Sequence, residues 1–394
     1  MEGIGVLKSR CQGESHKISG KPCQDYCIAE NKGKFAMAIL SDGHGGSRYF
    51  RSDRGAQLAV KIAKQAIEQF IRISPIEGLI NSKKDEFGVN TTINKETSRI
   101  FEPLKQLVSS IVTRWNDVIT KDAKTNSLSD WELQNVEKKY LDEFENKVRN
   151  HINSFEKYYG CTLMAFVRTE KYWFTFQIGD GKIVFFNRDD ERFLSNQPIP
   201  WDERCFLNQT TSICDSEAVS EFRFAFSGKG DFPLAVFLGS DGIDDTYGDG
   251  DKLTDFYIRL YKEMVLNSPR VVEKMLEEDL PYISKTGSKD DLSIALVYEK
   301  NKRFMDANYL LMSKWQIDNL TNRISNIDQR INELNQKVQK IGEDEDLSES
   351  QIMELSYTRK DLERAREEKR ELESNISKIQ STDERFKEKR IKDQ

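Results

Sequence analysis

This sequence has no apolar run near the roughly 20 residues that a membrane-crossing helix requires. Its opening Met1-Glu2-Gly3-Ile4-Gly5 lacks the charged and apolar regions of a secretory signal. Both absences lead us to expect a cytoplasmic protein with no membrane partner. Net charge is small: 60 basic residues against 66 acidic ones leave −6, with a pI near 5.5. A mildly acidic chain has no general electrostatic reason to bind nucleic acid. The six cysteines (Cys11, Cys23, Cys27, Cys161, Cys205, Cys214) form neither a paired zinc spacing nor a dense disulfide framework. Reduced, structural thiols are therefore expected. At 394 residues there is room for two or three domains and for the large core of one enzyme domain.

What the chain does have is a series of strand-length apolar runs that each deliver an acid. Phe35-Ala36-Met37-Ala38-Ile39-Leu40 runs into Ser41-Asp42-Gly43-His44-Gly45-Gly46, where three glycines let the backbone turn sharply and approach a ligand. Trp173-Phe174-Thr175-Phe176-Gln177-Ile178 runs into Gly179-Asp180-Gly181, and Ala235-Val236-Phe237-Leu238-Gly239 into Ser240-Asp241-Gly242. Asp290-Asp291 stand directly before Leu292-Ser293-Ile294-Ala295-Leu296-Val297. Acids at strand ends, in place of ordinary turn residues, imply one shared pole of hard oxygen ligands. Such ligands suit Mg2+ or Mn2+ better than zinc.

Between these runs the helical spacing is clear. Ala56, Ala59, Val60, Ala63, Ala66, Ile67 and Phe70 mark one helix face, ended near Ser74-Pro75. Residues 76–99 read as a polar loop, and helical spacing returns over 101–118 and 136–155, so 76–155 is expected to be a largely helical insertion or helix pair. Residues 160–168, 171–178 and 182–187 read as a three-strand meander. Residues 187–233 read as short strands and loop, and 253–265 and 271–280 as helices. Short turns between strands require antiparallel pairing. The fold expected is α+β: a central antiparallel β-sandwich flanked by helices.

The order of Gln24-Asp25, Asp42-Gly43-His44-Gly45-Gly46, Gly160-Cys161-Thr162, Gly179-Asp180-Gly181, Ser240-Asp241-Gly242 and Asp290-Asp291 resembles the metal-dependent protein phosphatases of the 2C type. The resemblance covers about the first three quarters of the chain. It implies α-β-β-α layers with two Mn2+ or Mg2+ ions at one end of the sandwich, and hydrolysis of phosphoserine and phosphothreonine in a protein substrate. It further implies that Asp42 bridges both ions, that the Gly43 carbonyl contributes to one, and that Asp241 and Asp290 hold the other. His44 is the implied general acid, and Asp180 the implied ligand of a third, looser ion. This chain departs from the pattern at three places. Gln24 stands where many relatives carry glutamate, so Asp25 takes over as ligand, directly or through water, or one ion binds more weakly. Asp291 stands where asparagine is common. Gly20 stands where an arginine often holds the phosphate, which leaves Lys21, Lys17 or His16 as substitutes, with Lys21 the candidate named for phosphate.

Beyond Tyr298 the composition changes. Ile317, Leu320, Ile324, Ile327, Ile331, Leu334, Val338 and Ile341 alternate spacings of three and four, a heptad seam. Gly342-Glu343-Asp344-Glu345-Asp346 interrupts it, and a second helix carries Leu355, Leu362, Leu372, Ile376 and Ile379. The expected domains are an enzyme domain at 1–300, a linker at 301–314 and a helical tail at 315–394. The tail is expected to be a helical hairpin or coiled coil that binds a protein partner or self-associates. A weak pseudophosphatase acting as a binding or scaffold module is the alternative reading, carried by Gln24 and Gly20.

Overall fold

The computed structural model describes residues 1–73, 75–80, 87–90, 99–189, 191–205, 209–248, 250–342 and 348–392. Its strands are β1 (Ile4–Cys11), β2 (Tyr26–Asn31), β3 (Phe35–Ser41), β4 (Phe87–Asn90), β5 (Leu163–Thr169), β6 (Trp173–Ile178), β7 (Lys182–Asp189), β8 (Arg192–Asn196), β9 (Arg223–Ser227), β10 (Ala235–Gly239) and β11 (Leu292–Glu299). They form two sheets, ordered β1-β11-β10-β7-β8 and β2-β3-β5-β6-β9-β4. The strand pairings are antiparallel, as the short turns required. Between β2 and β3 the turn is made by Gly33, whose φ of +81° suits glycine, with its N–H on Asn31 Oδ1 at 2.9 Å.

Strand β3 shows why the layers stack as they do. All seven of its residues are buried, because its two faces meet different layers. Phe35, Met37 and Ile39 pack toward the helices, whereas the smaller Ala36 and Ala38, with Leu40, pack between the sheets. A strand's period of two makes this division automatic. In β5, Leu163, Ala165 and Val167 take the helix side, and Met164 and Phe166 the inter-sheet side. Val236 and Leu238 of β10 and Ala295 and Val297 of β11 close the inter-sheet core from the other sheet.

Helix α1 (Glu14–Ser19) precedes β2, and α2 (Ser52–Ile73) follows β3. The expected apolar stripe of α2, from Ala56 to Phe70, is buried against the six-stranded sheet. With it pack α3 (Phe101–Thr125), α4 (Asp130–Asn135) and α5 (Lys138–Arg149). Short α6 (Ala218–Glu221) leads into β9. Helices α7 (Asp241–Tyr247), α8 (Gly250–Leu266) and α9 (Pro269–Thr286) cover the five-stranded sheet. There Tyr257 of α8 stacks on Phe237 of β10 with centroids 4.5 Å apart.

Three expectations are corrected. The meander of 160–187 is broken, since β6 pairs with β5 but β7 pairs with β10 in the other sheet. The chain therefore changes sheets at Gly179-Asp180-Gly181, a step that short-turn spacing cannot reveal. Within 76–99, Phe87–Asn90 forms β4 against β9, while much of the rest of that segment, like Ser74, lies outside the described residues. Residues 302–314 of the expected linker at 301–314 lie in α10 (Lys302–Gly342), so that stretch is helical.

The chain divides into two compact units, Met1–Asp189 with Leu194–Met305, and Asp190–Phe193 with Asp306–Gln394. The second holds most of α10 together with α11 (Glu349–Lys392). Tyr309 stacks on Phe386 at 4.1 Å, Ser313 bonds Asp383 at 2.7 Å, and Lys369 pairs with Asp328 at 2.7 Å. Partners that recede along one helix as they advance along the other define an antiparallel hairpin. Ile327, Ala365 and Leu372 form its buried seam, flanked by Leu320, Ile324, Ile331 and Leu334. The heptad face is thus covered within the chain. The interrupting residues 343–346 lie outside the described residues.

The first unit also contains a buried cation. Arg51 is 0% exposed, and its guanidinium donates to Glu132 Oε1 at 2.7 Å, Tyr159 OH at 3.0 Å, Asn126 O at 3.1 Å and Ser127 O at 3.0 Å. Glu132 also completes a capping box with Ser129 at the start of α4. Replacing Glu132 by Ala leaves a buried guanidinium short of its main counter-charge. Glu132→Ala should lower unfolding free energy by about 3 kcal/mol, read from urea denaturation at unchanged m-value.

Candidate active site

The candidate acids leave the sandwich at one pole, and strand register is the reason. In an antiparallel pair the start of one strand lies beside the end of its neighbour. Tyr26 pairs with Ser41, so Gln24-Asp25 and Asp42 emerge side by side. Leu163 pairs with Ile178, which brings residues 160–162 next to Gly179-Asp180. Gly239 pairs with Ile294, which sets Asp241 beside Asp290-Asp291. A bridge between Gly43 and Cys161 ties the first two groups together.

One cavity of about 820 Å³ collects the result. It is lined by Asp42, Gly43, His44, Asp180, Asp241 and Asp290, together with His16, Gln24, Thr162, Ser212, Asp245 and Asp291. Asp25 is 1% exposed and sits outside that lining, with Oδ2 accepting from Ser293 Oγ at 2.5 Å. Lys21 also lies outside it, and its Nζ donates to the Gly45 carbonyl at 2.7 Å.

Each ligand candidate is held by its local backbone. Asp42 N–H donates to Thr162 Oγ1 at 3.0 Å, and Asp42 O accepts from Thr162 N–H at 2.7 Å. Gly43 has no room for a side chain, since a Cβ there falls 2.7 Å from Ser52 O and 2.9 Å from Gln24 O. Asp241 is the first residue of α7, where the helix dipole favours a negative charge. Gly179 N–H donates to Thr211 Oγ1 at 2.9 Å, and Arg223 reaches the Gly179 carbonyl at 2.5 Å, which together fix the turn that presents Asp180.

The electrostatics are those of crowded buried acids. Burial pushes the Asp42 carboxyl well up, and the neighbouring Asp241 and Asp25 push it further. Asp25 is raised by burial and then by Asp291, and Asp241 is raised chiefly by burial. Asp42 and Asp241 lie within hydrogen-bonding reach of each other. Asp180 and Asp245 are also raised, again mainly by burial. Burial lowers His44 to about 4, Lys157 lowering it further while the Asp215 carboxylate opposes. His44 Nε2 lies 2.7 Å from Ser212 Oγ.

Asp291 is the exception. Its Oδ1 accepts from Gly13 N–H at 2.6 Å, its Oδ2 accepts from Gln24 N–H at 2.6 Å, and His16 Nδ1 lies 3.0 Å away. Burial pushes this carboxyl up, but His16 and the two N–H donors outweigh it and hold it below its usual range. His16, Asp290 and Asp291 each offer a ligand atom within 4.8 Å of the others.

Do these residues suit a divalent cation? Among the described residues, the Gln24 and Asp25 side chains each leave one buried oxygen, Oε1 and Oδ1, without a hydrogen-bond partner. Such oxygens cost stability unless something satisfies them. The donor set is mostly carboxylate oxygen, and the repulsion that raises these pKa values is relieved by cations. The residues fit.

The sequence located Asp42, Gly43, His44, Asp180, Asp241 and Asp290, and the fold brings all six to one cavity. It missed three contributors. Asp245 lies four residues after Asp241, so helical spacing on one face was a usable signal. Asp291 was noted only as a departure, and nothing local marked it as a tie between distant segments. Ser212 carried no signal at all, because it meets His44 across 168 positions.

A family model described as protein phosphatase 2C matches residues 12–280. No curated protein matches the chain. Among solved structures, the S. agalactiae serine/threonine phosphatase is 15% identical, over 75% of this chain and 99% of that one, with a TM-score of 0.39. The catalytic domain of the serine/threonine protein phosphatase PstP, in complex with 2 manganese ions, is 12% identical over 75% and 97%, with a TM-score of 0.39. A C. elegans sex determining protein is 14% identical over 79% and 67%, with a TM-score of 0.43.

Because Asp291 ties Gly13 and Gln24 to β11, Asp291→Ala should cost about 2–4 kcal/mol, as two hydrogen bonds to a charged acceptor are lost. Calorimetric unfolding of the purified protein measures it, and an unchanged Tm is the contrary result.

Proposed function

Since this chain belongs to the protein phosphatase 2C family and is a metal-dependent protein serine/threonine phosphatase, we propose that its chemistry runs in the acid-lined cavity at the pole of the sandwich. The convergence of Asp42, Asp241 and Asp290 on that cavity is the observation that carries the reading. In this proposal two ions are held, Mn2+ or Mg2+, by Asp42, the Gly43 carbonyl, Asp241 and Asp290, with Asp25 contributing directly or through water and Asp180 serving a third. When bound, such a pair lowers the pKa of a water and neutralises charge on a phosphoryl group.

The chain's own groups do the rest. Carboxylates packed this closely orient the cations and exclude anions other than those a cation attracts. Gln24, standing where a carboxylate is usual, offers a neutral oxygen: Nε2 donates to the His44 carbonyl at 3.1 Å and also to Ser52 Oγ, which leaves Oε1 as its spare donor to a cation. His44 gives the departing serine or threonine oxygen its proton. Lys21 Nζ gives one of its three N–H donors to the Gly45 carbonyl, which leaves two for a phosphate. His16 lines the cavity beside Asp290, with Nδ1 3.0 Å from Asp291, so Nε2 is the nitrogen it would offer a phosphate. The pseudophosphatase alternative gains no support from the family match.

We assign the enzyme domain to residues 1–300 and partner recruitment to the tail at 315–394. Its seam is satisfied by the hairpin, but Met353 and Tyr357, one turn apart on α11, are 61% and 64% exposed. Ile352 beside them is 55% exposed. A phosphorylated protein substrate, or a protein that delivers one, is the partner this face would take.

Three outcomes are expected. Hydrolysis of a phosphoserine peptide should vanish with chelator and return with Mn2+ or Mg2+. It should fall by ~10²-fold or more in Asp241→Asn, since loss of a direct ligand exceeds the 10–100-fold effect of an outer partner. Equal turnover in Asp241→Asn sinks the site assignment. Separately, a chain ended after Met305 should keep turnover of a small phosphoester but lose efficiency toward its protein substrate, as steady-state kinetics on both would show.

A further inference from the structure

We propose that Ser212 is the positioning residue for His44: its hydroxyl holds the imidazole by Nε2, so that Nδ1 is the nitrogen presented to substrate. This rests on the reading of His44 as the proton donor. The distance from His44 Nε2 to Ser212 Oγ is 2.7 Å. The ring's backbone is pinned by His44 N–H on Gly160 O at 3.0 Å, and Tyr49 meets the ring edge-on with centroids 4.8 Å apart. Among the described residues, Ser212 is the hydrogen-bond partner of the ring.

Ser212 is itself fixed more firmly than a surface hydroxyl. It is 2% exposed, its Oγ donates to Cys161 O at 3.0 Å and accepts from Cys214 N–H at 3.3 Å, and its own N–H donates to Asp215 Oδ2 at 3.0 Å. Asp215 is anchored in turn by Lys157 Nζ at 2.7 Å. Cys161 O belongs to the residue bridged to Gly43, so the hydroxyl is referenced to the same backbone that presents Asp42.

A hydroxyl has one proton and two lone pairs, which is what this position requires. Ser212 accepts from Nε2–H and gives its own proton to the Cys161 carbonyl, an arrangement that stays the same when Nδ1 takes up the proton it is to give. In the reaction a water oxygen bonds to phosphorus as the P–O bond to the seryl or threonyl oxygen breaks, the electron pair of the broken bond staying on that departing oxygen. The Nδ1 proton then passes to that oxygen, giving a neutral alcohol and a neutral ring. The ring's remaining proton is still on Nε2 and still donated to Ser212, so no partner has to move. A carboxylate in place of Ser212 stabilises the charged ring and holds the proton back. An alanine leaves the ring free to turn over.

The test uses the full chain with Mn2+ and two substrates. A phosphoserine peptide has a poor leaving group that needs a proton, whereas p-nitrophenyl phosphate releases a stable phenolate that does not. In Ser212→Ala, kcat on the peptide should fall by about 10²-fold, within the range of general acid catalysis, and the loss on p-nitrophenyl phosphate should be roughly tenfold smaller. KM should stay similar for both, and Ser212→Thr should restore the peptide rate. A second readout needs no turnover. The chain has three histidines, His16, His44 and His151, so long-range proton–nitrogen correlation on 15N-histidine protein resolves each ring, with His44→Asn giving the assignment. Wild type should show His44 as the single Nε2–H tautomer, and Ser212→Ala a mixture. Equal losses on both substrates, or an unchanged tautomer, overturns the proposal. Failure of the wild-type protein to hydrolyse either substrate is a failure of the phosphatase reading instead, and the tautomer result still decides the role of Ser212.

Discussion

Carboxylates buried together repel one another, and much of this fold exists to hold several of them at one end of a sandwich regardless. Asp42, Asp25 and Asp241 are all driven toward their neutral forms by burial first and then by nearby carboxylates. A protein that gathers such groups accepts local instability unless cations enter. Antiparallel register is the means of gathering, because it sets the beginnings of β2, β5 and β11 beside the ends of β3, β6 and β10.

Neutral and oppositely charged partners offset part of that strain. Asp291, held below its ordinary range, receives two backbone N–H groups from the segment ahead of β2. It thereby connects the first and last parts of the enzyme unit. Ser293 Oγ donates to Asp25 Oδ2, a hydroxyl where further charge would cost more, while Thr162 Oγ1 accepts from the Asp42 N–H and fixes the backbone that carries that acid. Gln24 belongs to the same economy: a neutral amide at that position removes one negative charge from an already crowded pole.

Legibility varied with the range of the interaction. The α2 stripe and the apolar runs of β3, β6, β10 and β11 were readable because periodicity is local and burial follows it. So were the acids at the strand ends. β4 was not, since four residues in a polar stretch become a strand only when β9 offers an edge to pair with. The passage of the chain from β6 to β7 across sheets was also hidden, because a Gly-Asp-Gly turn looks the same whether it closes a hairpin or links two layers. In the tail, heptad spacing announced helices, but whether their apolar faces met within one molecule was decided by contacts such as Tyr309 on Phe386.

By itself the sequence determined which residue types stand at the ends of apolar strands, and hence that hard oxygen donors would meet at one pole of an α+β sandwich. Only tertiary structure decided which groups serve those donors: Asp291 reaching back to Gly13 and Gln24, Arg223 reaching the Gly179 carbonyl, and Ser212 meeting His44. The division has a physical cause. Strand periodicity and chain-local turns are encoded in neighbours, whereas a hydrogen bond between residues many positions apart exists only once packing has brought the two segments together.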